Sequence, residues 1–311
     1  MDAGAVAETL VAGLQDAVRV RLRKRGAVVA LSGGVDSSVV LALCARAFGH
    51  DNVLGLLMPE RDSADDTGEL GRLAAQSVDV ETVDRDITDV LEALGCYRLR
   101  DEAFRELIPD YGPGWKAKIV LPPILGGSYR LFSVVARSPD GEEVRARVTA
   151  DTYRQIVAST NFKQRTRKML EYYHADRLEY AVVGTPNRLE YDLGFFVKNG
   201  DGAADVKPIA ELYKTHVYDL AVTLGVPEEI QSRTPTTDTY ALAQDQQEFY
   251  FSLPYEQMDL ALYGRINGYP PESLAAAIAI SVDDAERIYA DIDAKRRIAE
   301  TLNLSALLVG P

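Results

Sequence analysis

The segment from Ala27 to Phe48 constrains the fold of this chain more than any other. Ala27 to Leu31 is a short, uninterrupted apolar run, the pattern of a strand covered on both faces. Ser32-Gly33-Gly34 follows it, and a helical pattern then runs through Phe48. Strand, glycine turn and helix in that order open a parallel sheet flanked by helices. The alternation continues, with Val53 to Met58 reading as a strand, Thr67 to Ser77 as a helix, Val80 to Val83 as a strand and Ile87 to Leu94 as a helix. It resumes with a helix from about Lys163 to His174, a strand at Tyr180 to Val183 and a helix at Lys214 to Leu224. Val6, Leu10, Leu14 and Val18 recur near helical spacing ahead of Arg21, Arg23, Lys24 and Arg25, which places a further helix before the first strand. The expected fold is α/β, a doubly wound parallel sheet with its ligand at the carboxyl ends of the strands.

Gly112 to Ala150 breaks this pattern. Tyr111-Gly112-Pro113-Gly114 and Pro122-Pro123 punctuate it, and Arg130 to Arg137 and Glu143 to Thr149 flank the turn sequence Ser138-Pro139-Asp140-Gly141. An inserted β-hairpin is predicted there. After Pro235 the chain becomes helical and polar, with helices at Ser273 to Ile280 and Val282 to Thr301. Asp283 and Asp284 open the second of these and Lys295, Arg296 and Arg297 stand near its end, as the helix dipole favours. The expected organisation is one domain over 1–311, with the insertion at 112–150 and a helical region at 240–311.

Composition narrows the function. The 311 residues are 47% hydrophobic and 26% charged, which excludes disordered and low-complexity classes. Acidic residues outnumber basic ones by 47 to 34, a net charge of −13, which argues against a broad grip on nucleic acid. Cys44 and Cys96 are too few for a disulfide framework, and His50, His174 and His216 are scattered, without zinc-ligand spacing. Met1 to Leu14 lacks the apolar core of a signal peptide, and no stretch approaches a membrane span. A cytoplasmic protein with neither nucleic acid nor membrane as partner is expected.

Ser32-Gly33-Gly34-Val35-Asp36-Ser37-Ser38 carries the chemistry. Glycines let backbone approach a phosphate, hydroxyls donate hydrogen bonds, and the helix N-terminus that follows favours negative charge. This is an anion cradle. It is not a Walker sequence, because the lysine for the outer phosphates is absent and an aspartate stands inside the loop. That aspartate points to magnesium bridging carboxylate and phosphates. An ordinary glycine turn is the plain alternative, and the whole string after a buried strand weighs against it.

The string resembles the pyrophosphate loop of the ATP pyrophosphatase superfamily, with the adenine nucleotide α-hydrolase-like fold. Three further segments resemble the NAD synthetase family within it. Asn161-Phe162-Lys163-Gln164-Arg165-Thr166-Arg167-Lys168-Met169 is similar to its N-x-x-A-R-x-R-M signature. Val183-Gly184-Thr185-Pro186-Asn187-Arg188-Leu189-Glu190, running into Gly194 to Asp205, is similar to its G-T-x-N-x-x-E and G-Y/F-F-x-K-x-G-D-G-x-A-D stretch. Leu212-Tyr213-Lys214-Thr215 and Arg233-Thr234-Pro235-Thr236-Thr237-Asp238 are similar to its L-x-K-T and P-T/S-A-D/E elements.

The resemblance implies an ammonia-dependent carbon–nitrogen ligase that adenylates a carboxylate with ATP, releases pyrophosphate and transfers ammonia to the acyl group. It implies an ATP site at Ser32, Gly33, Gly34, Asp36, Ser37, Ser38, Arg61, Thr185, Lys214 and Thr236, with Asp36 and Lys214 catalytic. Asp36, Glu190 and Thr236 are the implied Mg2+ ligands, hard oxygens that suit that ion. The implied substrate contacts are Arg165, Arg167, Tyr172, Phe195, Lys198 and Asp205. Arg165 and Arg167, two apart, project from different helix faces, which leaves substrate binding by one of them and an exposed basic helix both open. Tyr172 matches a family tyrosine that stacks on substrate across a dimer interface, and a core aromatic is its alternative. A lone Glu190 would read as a solvated loop carboxylate and a lone Lys214 as a surface lysine. The resemblance further implies a homodimer. It is weaker at Leu57-Met58-Pro59-Glu60-Arg61-Asp62-Ser63, which is closer to glutamine-dependent relatives, and at Ala243 to Phe251, which replaces the family's acidic stretch.

With 311 residues leaving no room for a nitrilase-like glutaminase domain, the expected nitrogen source is free ammonia or a separate glutaminase. The carboxylate is expected to be nicotinic acid adenine dinucleotide. The alternatives are a paralogue acting on another carboxylate in a specialised pathway, the insertion altering acyl choice, and a nucleotide-binding regulator without turnover. Asp36, Glu190, Lys214 and Thr236 together argue against the last.

Overall fold

A computed structural model describes residues 1–64, 66–122, 124–125, 131–234, 240–242, 250–251 and 253–310. Four parallel strands form the central sheet, in the order β3 (Glu81–Asp84), β2 (Val53–Leu57), β1 (Ala27–Ala30), β7 (Ala181–Val183). The register puts Val28 beside Leu54 on one side and beside Val182 on the other. The apolar run of β1 is explained by its surroundings. Val28 packs with Leu54, Leu56, Leu91, Tyr97 and Val182 on one face, while Ala27 and Val29 belong to the core on the other. That second core is filled by α1 (Ala3–Gln15), α2 (Val35–Phe48) and α8 (Lys214–Leu224). A π-helical turn, Asp16–Arg21, continues α1. Outward from β1 the chain first builds β2 and β3, joined by α3 (Thr67–Gln76), then crosses to β7 on the opposite side. The crevice between the carboxyl ends of β1 and β7 is therefore the switch point at which such sheets bind ligands.

The predicted hairpin is present as β5 (Ser133–Arg137) and β6 (Glu143–Arg147), but a third strand, β4 (Lys116–Val120), pairs antiparallel with β5. The insertion is thus a three-stranded sheet rather than a hairpin alone. The β4 to β5 connection spans residues 121–132, too long for a tight turn, so no turn signal advertised the pairing. Ala117, Ile119, Val134 and Ala136 face inward from this sheet. They share a core with Phe104 and Ile108, at α5 (Cys96–Leu107), and with Ile156 of α6 (Ala150–Leu178). α5 follows the short α4 (Thr88–Ala93).

α6 is longer than its periodicity predicts, beginning at Ala150 rather than near Lys163. Thr149 caps it, its side chain accepting from the Thr152 amide at 3.1 Å. The helix has little amphipathic signature because polar residues are buried along it: Lys163, Lys168, Glu171 and His174 all lie inside, three of them in ion pairs. Beyond α8 come α9 (Glu228–Gln231), α10 (Tyr255–Ile266), α11 (Pro271–Ile278) and α12 (Val282–Asn303). α10 to α12 enclose Met258, Leu262, Leu274, Ile288 and Ile292 together with Leu189 and Leu193 of α7 (Arg188–Leu193). This cluster fixes α7 and, through α10, the start of α8.

Candidate active site

A cavity of about 380 Å³ opens at the crevice between β1 and β7, walled by α6, the start of α2, residues 184–201 and Arg233. Its floor is an ion cluster. Lys214, the first residue of α8, is completely buried and pairs with Asp36 in the first turn of α2. Asn187 donates to the other Asp36 oxygen from Nδ2 at 3.1 Å. Asn187 and Glu190 form a capping box on α7: the Glu190 amide donates to Asn187 Oδ1 at 3.3 Å, and the Asn187 amide donates to Glu190 Oε2 at 3.1 Å. Glu190 therefore belongs to the first turn of a short helix, not to an open loop. A neighbouring helix holds the cluster in register. Asp259 of α10 accepts from the Lys214 and Thr215 amides at 3.2 and 2.8 Å, capping α8 from outside.

Burial opposes the Lys214 ammonium, yet the charges of Asp36 and Glu190 outweigh it and hold its pKa above that of a free lysine. Burial, and then the charge of Asp36, push the Glu190 carboxyl up to about 8. With Lys214 already paired to Asp36, Glu190 would ionise fully only if further positive charge reached the cluster, which a hard divalent cation would supply. Asp36 and Glu190 both line the cavity and fit such an ion. Among the described residues no three His, Cys, Asp or Glu side chains converge as a metal cluster. Thr236, the expected third ligand, lies outside the described residues, as do Pro235, Thr237, Asp238 and most of Ala243 to Phe251.

The cradle takes the expected form. Gly33 has φ of +70°, and a Cβ there would lie 2.8 Å from the Thr67 carbonyl oxygen, so glycine is required. Ser32, Gly34 and Ser37 line the cavity, whereas Ser38 does not. Ser37 and Ser38 donate from Oγ to the Gly34 carbonyl at 3.0 and 2.9 Å, tying the turn to its helix. Thr185 lines the cavity after β7. Arg61 does not. Its guanidinium lies 3.7 Å from the Tyr97 ring centroid and 3.6 Å from Glu92.

Of the expected substrate contacts, Arg167 and Phe195 line the cavity. Arg167 donates from Nε to the Met58 carbonyl at 3.2 Å, and Phe195 stacks on Tyr250 with centroids 4.7 Å apart. Arg165, Tyr172, Lys198 and Asp205 lie outside the lining. Arg165 donates to the Lys198 carbonyl at 3.3 Å, and Lys198 donates from Nζ to the Leu304 carbonyl at 3.3 Å. Tyr172 donates to Asp205 Oδ1 at 3.3 Å while Asp205 Oδ2 accepts from the Val182 amide at 2.8 Å, so this pair buttresses the sheet edge.

Lys163 and Lys168 line the cavity already neutralised. Lys163 Nζ bonds Glu60 at 2.9 Å and Asp62 at 2.8 Å, and Lys168 Nζ bonds Glu171 at 2.6 Å. Three lining residues carry no role in the sequence reading, Arg233, Glu171 and Asp201, and neither does Asn187, which stands behind the lining against Asp36. Arg233 donates to the Ser32 carbonyl at 3.4 Å and to Asp66 at 2.6 Å, bracing the cradle. Asn187 was findable, since Asn-x-x-Glu is itself a helix-start signature. Burial raises the pKa of both Glu171 and Asp201.

The family model for NAD synthase matches residues 6–107 and 141–296. The chain belongs to the NAD synthetase family. It is 55% identical over 312 aligned positions to an NH3-dependent NAD+ synthetase of Rhizobium meliloti (strain 1021), covering 100% of this chain and 93% of that protein. A second relative of the same description, from Mesorhizobium japonicum, is 53% identical over 99% of this chain and 97% of its own. Among solved structures, an NH3-dependent NAD synthetase from Campylobacter jejuni is similar with a TM-score of 0.65 at 20% identity, each chain covered completely. An NMN synthetase from Francisella tularensis is similar with a TM-score of 0.68 at 19% identity over 99% of both chains. These two likenesses establish the shared fold.

Proposed function

We propose that this protein is an ammonia-dependent NAD synthetase, forming the amide of NAD from nicotinic acid adenine dinucleotide at the expense of ATP. The observation that carries the reading is the Asp36–Lys214–Glu190 cluster beneath a glycine-serine cradle at the sheet's switch point. The descriptions of the full-length relatives agree with it.

In the first step a substrate carboxylate oxygen attacks the α-phosphorus of ATP, the bond from that phosphorus to the bridging oxygen breaks, and pyrophosphate leaves. Lys214 offsets the negative charge gathering on the phosphate oxygens, and the cradle and the α2 N-terminus orient them. Asp36 and Glu190 would hold Mg2+, with Thr236 as the resemblance implies, and the ion would supply charge neutralisation on the phosphates. In the second step ammonia attacks the acyl carbon, the bond to AMP breaks, and the nitrogen gives up a proton. A buried carboxylate whose pKa is raised is suited to accept one, and Asp201 lines the cavity in that state. Positioning and charge compensation do the work, with no nucleophile required. Cys44 and Cys96 are buried thiols, their pKa values raised by burial.

The same reading takes the chain as one synthetase unit with its insertion, acting in the cytoplasm on free ammonia, as a homodimer. No helix among the described residues is long and apolar enough to cross a membrane. The test is a balance of products. With ATP, Mg2+, ammonium and the dinucleotide, AMP, pyrophosphate and NAD should form in equal amounts, and adenylation of some other carboxylate with none of this one would overturn the substrate.

A further inference from the structure

We propose that Tyr153, backed by Phe132 of the inserted sheet, is a stacking platform for a planar ring of the dinucleotide substrate, which makes the insertion a specificity element of the active site. This deepens the reading of the site given above and rests on it.

Tyr153 stands in the first turn of α6 and lines the cavity. Its ring is stacked on Phe132, with centroids 4.5 Å apart and planes 25° apart. Phe132 is held in turn by the insertion, its carbonyl accepting from the Val148 amide at 3.0 Å. One face of Tyr153 is thus supported by the inserted sheet, while the ring also borders the cavity. Val157 and Thr160 follow on the same side of α6 and also line it. Tyr240 both lines the cavity and belongs to the insertion's core. The inserted sheet is therefore continuous with the cavity wall.

The ligand class follows from what the wall offers. No charged side chain is among Tyr153, Val157, Thr160 and Tyr240, so this stretch suits a flat, weakly polar group rather than a phosphate. The cavity has a second stacked pair, Phe195 on Tyr250, supplied by the segment after α7 and by the chain before α10. Two aromatic pairs lining one cavity suit a ligand that carries flat rings. The family match skips residues 108–140, so Phe132 and the strands β4 and β5 lie outside the family's common domain.

The test compares steady-state KM values of the wild-type chain with those of Tyr153→Leu, Tyr153→Phe and Phe132→Leu, with melting temperature recorded for each. Tyr153→Leu should raise KM for nicotinic acid adenine dinucleotide about ten-fold and leave KM for ATP within about two-fold. Tyr153→Phe should behave as wild type, because the ring and not the hydroxyl is used, and Phe132→Leu should fall between. Nicotinic acid mononucleotide as substrate identifies the ring: a Tyr153→Leu penalty on the dinucleotide alone marks adenine, and an equal penalty on both marks nicotinate. Unchanged KM for the dinucleotide in a folded, active Tyr153→Leu protein overturns the platform, as does a rise confined to KM for ATP or an equal rise in Tyr153→Phe. A wild-type chain inert toward the dinucleotide overturns the reading of the site and the platform with it.

Discussion

Lys214 is buried at the cavity floor, and its ammonium is paired with Asp36. A lysine so placed adds little to ground-state binding by attraction from a distance and most where charge develops. Lys214→Met should therefore lower kcat by roughly a hundred- to a thousand-fold, with a smaller change in KM for ATP. Rapid-quench measurement of pyrophosphate release checks this, and an unchanged release rate would remove Lys214 from the phosphate chemistry. Asp36, Glu190 and Lys214 were legible in the sequence because each stands at the start of a helix, where residue order dictates direction. Arg165, Tyr172, Lys198 and Asp205 were less so. A motif position specifies a residue type, while the way its side chain turns depends on partners remote in sequence, such as Leu304 for Lys198.

At the scale of elements, the loop after β2 is held to α5 and α6 by buried charges. Lys163 bridges Glu60 and Asp62, Arg100 pairs with Asp62, and Tyr97 donates to Glu60 at 2.7 Å. Burial alone would raise the Asp62 pKa, but Lys163 and Arg100 outweigh it and hold the carboxyl below its ordinary value. An acid depressed on folding stabilises the fold above its unfolded pKa, about 3.9, and that contribution disappears as pH falls through the lower folded value. Urea unfolding should thus show stability falling below about pH 4. Lys163→Met should cost roughly 3–5 kcal/mol at pH 7, and acidification toward pH 4 should recover part of it. A pH profile parallel to wild type would sink the assignment. These buried pairs also explain why α6 was only half visible: polar residues that find partners inside a protein erase the amphipathic stripe by which a helix is read. β1, and α8 beyond Lys214, where the buried residues are Val217, Leu220, Ala221 and Leu224, were readable almost to the residue.

For the whole molecule, the outer side of α6 carries Met169 and Tyr173, 59% and 60% exposed and one turn apart. Large apolar side chains side by side on a protein of net charge −13 are suited to meeting a second copy, since the surrounding acidic surface resists unspecific contact. Sedimentation should give a dimer for the wild type and a monomer for the double variant Met169→Glu, Tyr173→Glu. A double variant that remains dimeric would move the interface elsewhere.

The floor of the site joins positions 178 residues apart, Asp36 and Lys214, through a link made only when both sides of the sheet are complete. During synthesis, β1 and its cradle leave the ribosome long before α8. A nascent chain therefore carries the Ser32–Ser38 turn without the Lys214 ammonium that pairs with Asp36. Contacts between positions so far apart in sequence form slowly. Competence to cleave ATP should accordingly appear only near the end of folding, so partly made or partly unfolded chains do not waste the nucleotide.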